Sequence, residues 1–278
     1  IARLRALAAA GGTALGATLL AACGGGDSEP QDASGLLERP EETTSQARNG
    51  GVWQDRIDGD ILGLDVNLNT SSTSFQQMAP VYEHLVKYSL SKGDPVDGPV
   101  VGEVAESFEF SGDGLTLTMK LRPDNTWDPR PPTSGRVMTV DDVKFSWERT
   151  IARSPFAGDM YTGLNPTAPI ESLTTPDSST ISIKLAYPYR SVLEVLAHNT
   201  YFYVMPVETD GGFDARNETR GSGPFFLEEW RPSERFVFKK NPNWYEENRP
   251  FLDGIQRTII SDYSTALSQF EAGAIWTL

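Results

Sequence analysis

"ESFEFSGDGLTLTMKLR", residues 106–122, is the stretch from which the fold is read. In its second half Leu115, Leu117, Met119 and Leu121 alternate with Thr116, Thr118 and Lys120. A period of two sends the two sets to opposite faces of a strand, one apolar and one polar. Ser111-Gly112-Asp113-Gly114 supplies turn residues ahead of it. The stretch therefore predicts a β-hairpin.

Moving toward the C-terminus, the period changes. In "TVDDVKFSWERTIA" (139–152), Val140, Val143, Trp147 and Ile151 share one helical face. Thr139 stands at the N-cap and Asp142 at the capping-box position. "STISIKLAYP" (179–188) alternates again through Ile181, Ile183, Leu185 and Tyr187. "YRSVLEVLAHN" (189–199) predicts a short helix, "YFYVMPVE" (201–208) a buried strand and "FFLEEWRPSERFVFKKN" (225–241) a second hairpin. "GIQRTIIS" (254–261) is a strand, and "DYSTALSQFEAG" (262–273) a helix. That helix turns Tyr263, Ala266, Leu267 and Phe270 inward and stops at Gly273. Toward the N-terminus, "GGVWQDRI" (50–57) opens the folded region as a strand. "LDVNLNTSSTS" (64–74) is strand end and polar loop. "SFQQMAPVYEHLVKYS" (74–89) carries Phe75, Met78, Tyr82, Leu85 and Val86 near helical spacing, with Pro80 able to kink or shorten the helix. Helices mixed with strands and hairpins point to an α/β or α+β fold without internal repeats.

The chain has 278 residues, enough for one large or two small domains. Its 24 Lys and Arg against 38 Asp and Glu give a net charge of −14. Such a surface repels nucleic acid and anionic lipid headgroups. The single cysteine, Cys23, follows "ALAAAGGTALGATLLAA" (6–22), itself preceded by Arg3 and Arg5. Basic residues, a short apolar run and small residues at the cut make residues 1–22 a signal peptide. The run is shorter than the roughly 20 residues of a membrane span. The first residue, Ile1, is not Met, so the native start is expected elsewhere. Leu20-Ala21-Ala22-Cys23 resembles the bacterial lipobox, which implies cleavage before Cys23 and a diacylglyceryl group on its thiol. Residues 23–49, rich in Gly, Ser, Pro, Glu and Gln, read as lipidated cysteine and flexible tether. No further cysteine is available for a disulfide.

Several ordered stretches resemble the family 5 extracellular solute-binding proteins of ABC importers, the peptide- and nickel-binding group. They are "VYEHLVKYS", "VVGEVAESFEFSGDGLTLTMKLRPDNTW", "MTVDDVKFSWERTI", "GSGPFFLEEWRPSERFVFKKNPNWYEENRPFLDGI" and "STALSQFEAGAI". The resemblance covers residues 50–278. It implies the N-terminal part of a two-lobed, periplasmic-binding-protein-like (class II) clamshell with mixed sheets and β-hairpins. It also implies a lipid-anchored, extracytoplasmic receptor that captures peptides or related solutes and delivers them to an ABC permease and its ATPase subunits, without a cofactor. Nickel chelates, haem or oligosaccharides are the alternative solutes. The pattern departs from the family at "FEAGAIWTL", where Ala274 replaces an acidic residue and Trp276 an aspartate. The second lobe of the family lies beyond this point. A receptor that binds near micromolar is expected to keep about half of its roughly −8 kcal/mol in one lobe, which is about millimolar.

Chemistry at a site is thinly signalled. His84 and His198 lie far apart and outside any metal spacing. His84 reads as a surface or half-buried residue. Gly221-Ser222-Gly223-Pro224 is not a nucleophile elbow, and no phosphate-cradling glycine motif occurs. Asp141-Asp142, Glu228-Glu229 and Glu246-Glu247 read as solvated charge. A hydrolase needs a nucleophile with a base, or a metal set. Transport without catalysis is the better reading. For solute contact, the loop Asn69, Thr70, Ser71, Ser72, Thr73 and Ser74 joins the first strand to a helix, where ligands of α/β folds gather. Plain helix capping explains the same residues equally well. Trp127, in the Pro-rich loop "PDNTWDPRPP", is open to either core packing or ligand contact.

Overall fold

A computed structural model describes residues 44–89 and 98–278; the expected signal peptide, Cys23 and the tether up to residue 43 lie outside them. A 3-10 turn at Thr44–Gln46 is followed by β1 (Val52–Ile57), α1 (Ser72–Met78), β2 (Val86–Tyr88), β3 (Val100–Gly102), β4 (Ala105–Phe110) and β5 (Thr116–Leu121). Then come α2 (Val140–Arg153), α3 (Ala157–Met160), β6 (Ile170–Thr174), β7 (Thr180–Leu185) and α4 (Val192–Ala197). A second 3-10 turn, Val207–Thr209, precedes β8 (Phe225–Arg231), β9 (Arg235–Lys240), β10 (Gly254–Ile259) and α5 (Tyr263–Glu271). No described helix is long and apolar enough to cross a membrane.

Two four-stranded sheets organise the chain. One has the order β4-β5-β7-β6 and is antiparallel throughout. The opening hairpin is its edge: Phe108 pairs with Met119 and Phe110 with Leu117. Asp113 tightens the turn by accepting the Leu115 N–H at 3.0 Å, and Gly114 takes φ 71° there, a left-handed value that favours glycine. Leu117, Met119, Ile181 and Ile183 are fully buried against α2 and α4. The other sheet has the order β1-β10-β9-β8, with β1 and β10 parallel and the rest antiparallel. It packs Phe225, Leu227, Phe236 and Phe238 against Phe75 and Met78 of α1.

Segment 202–205 runs between the two cores. Phe202 and Val204 enter the first, Tyr203 and Met205 the second. The two faces alternate as in a strand, but the buried strand expected over 201–208 does not form, because no neighbouring strand pairs with the segment. Its N–H groups are held singly, Val204 by the Glu83 carbonyl at 2.9 Å and Met205 by Ser146 Oγ at 2.7 Å.

Three further expectations are corrected. The helix expected over 74–89 ends at Met78, because Pro80 cannot continue it. Val81, Tyr82, Leu85 and Val86 are buried nonetheless, and Val86–Tyr88 pairs with β3. Helix α5 forms with Gly273 at φ 73° as its stop, but Tyr263 and Phe270 point outward and only Ala266 is buried. Asp142 is no solvated charge; it is fully buried. The Gly221-Gly223 motif is a packing device. A Cβ on Gly221 would lie 1.8 Å from the Val81 carbonyl oxygen, and the Gly223 N–H donates to that oxygen at 2.9 Å.

Candidate functional site

The loop that leaves β1 is built on a buried ion pair. Arg149 of α2 donates bidentately to Asp65, NH1 to Oδ1 at 2.8 Å and NH2 to Oδ2 at 2.7 Å. Its NH1 also reaches Asn67 Oδ1 at 2.6 Å, and its Nε reaches Asp210 at 3.0 Å. Burial works against the Arg149 charge, but Asp65 and Asp210 outweigh it and raise its pKa. Asn67 Nδ2 donates to Thr150 Oγ1 at 3.0 Å. Asn69 closes the turn: its amide donates to the carbonyls of Gly63 and Asp65, both at 2.9 Å. The loop is therefore fastened to α2 by side chains, not by sheet pairing.

On that base the candidate residues divide. Asn69 is buried and fully engaged in holding the turn. Thr70, Ser71 and Ser72 are exposed, and Thr73 is half-buried. Ser71 is the N-cap of α1, but its side chain makes no capping bond. Ser74 is buried with an unpartnered hydroxyl. Trp127 is 1% exposed, in the core with Val143, and its Nε1–H donates to Asp142 Oδ2 at 3.2 Å. Its side chain is thus committed to packing. Beside the loop lies a cleft of about 150 Å³, lined by Leu62, Leu68, Asn69, Thr70, Ser71 and Arg216 among others. A larger cleft of about 380 Å³ lies by Asp55, Arg56, Gln77 and Arg257. There Arg257 is engaged by Asp55, by the Gln76 carbonyl and by Gln77.

Further buried acids surround this frame. Asp142 accepts from the Thr139 N–H at 2.9 Å, the Val207 N–H at 3.0 Å and both terminal nitrogens of Arg136. Burial pushes its carboxyl up, and Arg136 with these N–H donors overcomes that and leaves it below the usual range. Glu83 and Glu103 behave oppositely. Glu83 accepts from Asn125 Nδ2 at 2.7 Å and Trp244 Nε1 at 3.1 Å, and Glu103 from the His84 N–H at 2.8 Å. Burial raises both, and the neighbouring Glu83 adds to the rise of Glu103, to about 8. Nearby Lys87 pairs with Glu246 and donates to Tyr245 at 2.8 Å. His84, expected at the surface or half-buried, is buried; its Nδ1 meets the Phe202 carbonyl at 2.7 Å, and burial lowers its pKa to about 4. His198 is exposed.

Asp65, Arg149, Glu83, Glu103 and Arg216 escaped sequence reasoning. One signal was present. Asp142, Ser146 and Arg149 follow each other at helical spacing beside the apolar face of α2. For Glu83, Glu103 and Arg216 no local pattern marks the role.

The profile of the bacterial extracellular solute-binding proteins, family 5 (Middle), matches residues 99–278. The chain belongs to this family. Among the curated proteins, this family 5 chain is 27% identical over 224 residues to the "Probable D,D-dipeptide-binding periplasmic protein DdpA" of Escherichia coli, covering 76% of the chain and 40% of that relative. It is 26% identical over 188 residues to the "Dipeptide-binding protein DppE" of Bacillus subtilis, covering 63% and 34%. It thus spans less than half the length of these relatives. A solved structure of the DppA binding protein from Helicobacter pylori, in complex with peptide STSA, superposes with a TM-score of 0.71 at 24% identity, over 84% of this chain and 47% of that one. The oligopeptide transporter's substrate-binding domain from Bacillus anthracis gives 0.67 at 22%, over 81% and 44%. These neighbours establish the fold: this family 5 chain has the mixed α/β architecture of one part of a two-lobed periplasmic binding protein.

Proposed function

We propose that this protein is the solute receptor of an ABC importer, capturing a peptide or related small solute outside the cytoplasmic membrane and handing it to the permease. One observation carries the reading. In a chain of family 5, Thr70 and Ser71 present hydroxyls from a loop fixed by Asp65, Asn69 and Arg149 beside a cleft, and Ser72 and Thr73 follow in the first turn of α1. Hydroxyls both donate and accept. They suit a peptide backbone, whose groups are the same whatever the side chains. Peptide ligands or names attach to several relatives, and none of the relatives named above is named as an enzyme. Attachment to the membrane is assigned to a lipid on Cys23, since the acidic surface gives no electrostatic hold on anionic lipid.

Two measurements test this. Calorimetry of the full-length protein against a library of di- to pentapeptides is expected to show saturable binding; a complete absence of heat for all peptides sinks the receptor reading. Mass spectrometry of the membrane fraction is expected to find a mature N-terminus at Cys23 with a diacylglyceryl mass. An unmodified thiol, or a Cys23→Ser variant that still partitions to membranes, removes the anchor.

A further inference from the structure

We propose that Asp210 is a positioning residue for solute capture: acting through Arg149, it sets where the loop from Gly63 to Ser71 holds its hydroxyls. The inference rests on the receptor reading and adds a residue outside the loop that governs the same site. Arginine carries its guanidinium on a long stem with many rotamers, so the backbone of α2 alone does not fix the far end of Arg149. The partners of that end do. Two of them, Asp65 and Asn67, belong to the loop itself. A group cannot be placed by the segment it is meant to place. The Met205 sulfur lies 3.9 Å from NH1 and is a weak acceptor. Asp210 is the only charged partner of Arg149 outside the loop among the described residues, accepting from Nε at 3.0 Å. The bidentate bond to Asp65 lets guanidinium and loop swing together. A charge-assisted bond on Nε from another segment removes that freedom.

Asp210 is itself anchored. Its second oxygen accepts from Arg153 at 3.3 Å, one helical turn beyond Arg149 on α2. It follows directly on the 3-10 turn Val207–Thr209, whose first N–H is held by Asp142 at 3.0 Å. The charges of Asp65 and Asp210 balance those of Arg149 and Arg153. The chain after Asp210 meets the loop a second time. The Leu64 N–H donates to the Arg216 carbonyl at 2.9 Å, and a Cβ on Gly63 would lie 3.3 Å from that oxygen. The Arg216 N–H is held in turn by Asp214 at 3.1 Å. Segment 210–216 thus grips the loop twice, through Arg149 at Asp65 and directly at Leu64, a few residues ahead of Thr70 and Ser71. The Asp210 side chain is 39% exposed, and exposed ion pairs add little to global stability. Placement and stability therefore separate at this residue.

The test uses the full-length protein and trialanine in calorimetry. Lys144→Ala is the control, since it breaks another exposed ion pair of α2, with Glu148. Asp210→Asn is expected to weaken trialanine binding about fivefold, with a melting temperature shifted no more than in the control. Asp210→Glu, which keeps the charge, is expected to recover part of the loss. A second readout does not depend on peptides. In ¹⁵N-labelled protein without peptide, the side-chain amide resonances of Asn69 should move in Asp210→Asn and stay in place in Lys144→Ala. Unchanged trialanine affinity in Asp210→Asn overturns the assignment, and so does a loss of affinity with the Asn69 resonances unmoved. If neither trialanine nor any library peptide binds the wild-type protein but the Asn69 resonances move, the receptor reading falls and the link from Asp210 to the loop stands. If they do not move, the link falls as well.

Discussion

Two regions of this molecule bury carboxylates and treat them in opposite ways. At the junction of the β1 loop with α2, Asp65 and Asp142 each face an arginine. Between the two cores, Glu83 and Glu103 face N–H donors and each other, while Lys87 is engaged by Glu246. Burial penalises the charged form in both places. A bidentate guanidinium reverses the penalty for Asp142; a few neutral donors do not reverse it for Glu103. The first region is an ionic clamp that positions the loop. In the second, burial pushes both carboxyls toward their neutral form.

The comparison breaks most visibly under isosteric substitution. Asp65→Asn leaves Arg149 short of its main counter-charge and should cost about 3–5 kcal/mol, read from urea denaturation midpoints at constant slope. Glu103→Gln mimics the protonated acid and should cost under about 1 kcal/mol at pH 6.5. Similar costs for the two would erase the distinction. The pH dependence sharpens it. Glu103, raised from 4.5 to about 8, holds a proton in the folded state that it releases when unfolded. Its contribution to stability is present below about pH 4.5 and is lost as pH rises through about 8. His84, lowered from 6.5 to about 4, works the other way, adding stability as pH rises from 4 to 6.5. The two oppose below pH 6.5. Between 6.5 and 8, stability should therefore fall with a slope approaching one proton, and Glu103→Gln should flatten it. A wild-type profile that rises over this window contradicts the assignment.

Smaller effects separate loop from core. Trp127→Phe should cost about 1–3 kcal/mol through lost packing and the lost bond to Asp142, with solute affinity unchanged. Thr70→Val or Ser71→Ala should do the converse, weakening peptide binding by about 0.5–1.5 kcal/mol per hydrogen bond at an unchanged melting temperature. Ser74→Ala should be neutral or slightly stabilising by the same two assays, because its buried hydroxyl has no partner to lose.

Periodicity carried much of the fold. The hairpin of β4 and β5, helix α2 with Asp142 at its start and the hairpin of β8 and β9 follow from alternation, helical spacing and turn residues, which are local and repeat within one element. Burial was legible even where backbone was not: Tyr82, Leu85 and Val86 are core residues on a non-helical path that Pro80 imposes. The strand-like alternation of 202–205 survived without a strand, because its two faces meet two different cores. The candidate loop was visible as a polar stretch after a strand. Its division into a structural Asn69 and exposed hydroxyls was not, since Asn69 acts on carbonyls whose positions the turn itself creates. The charge states were the least legible of all. Whether a buried acid is ionised depends on what the fold places against it, and Arg149 lies 84 residues from Asp65 along the chain.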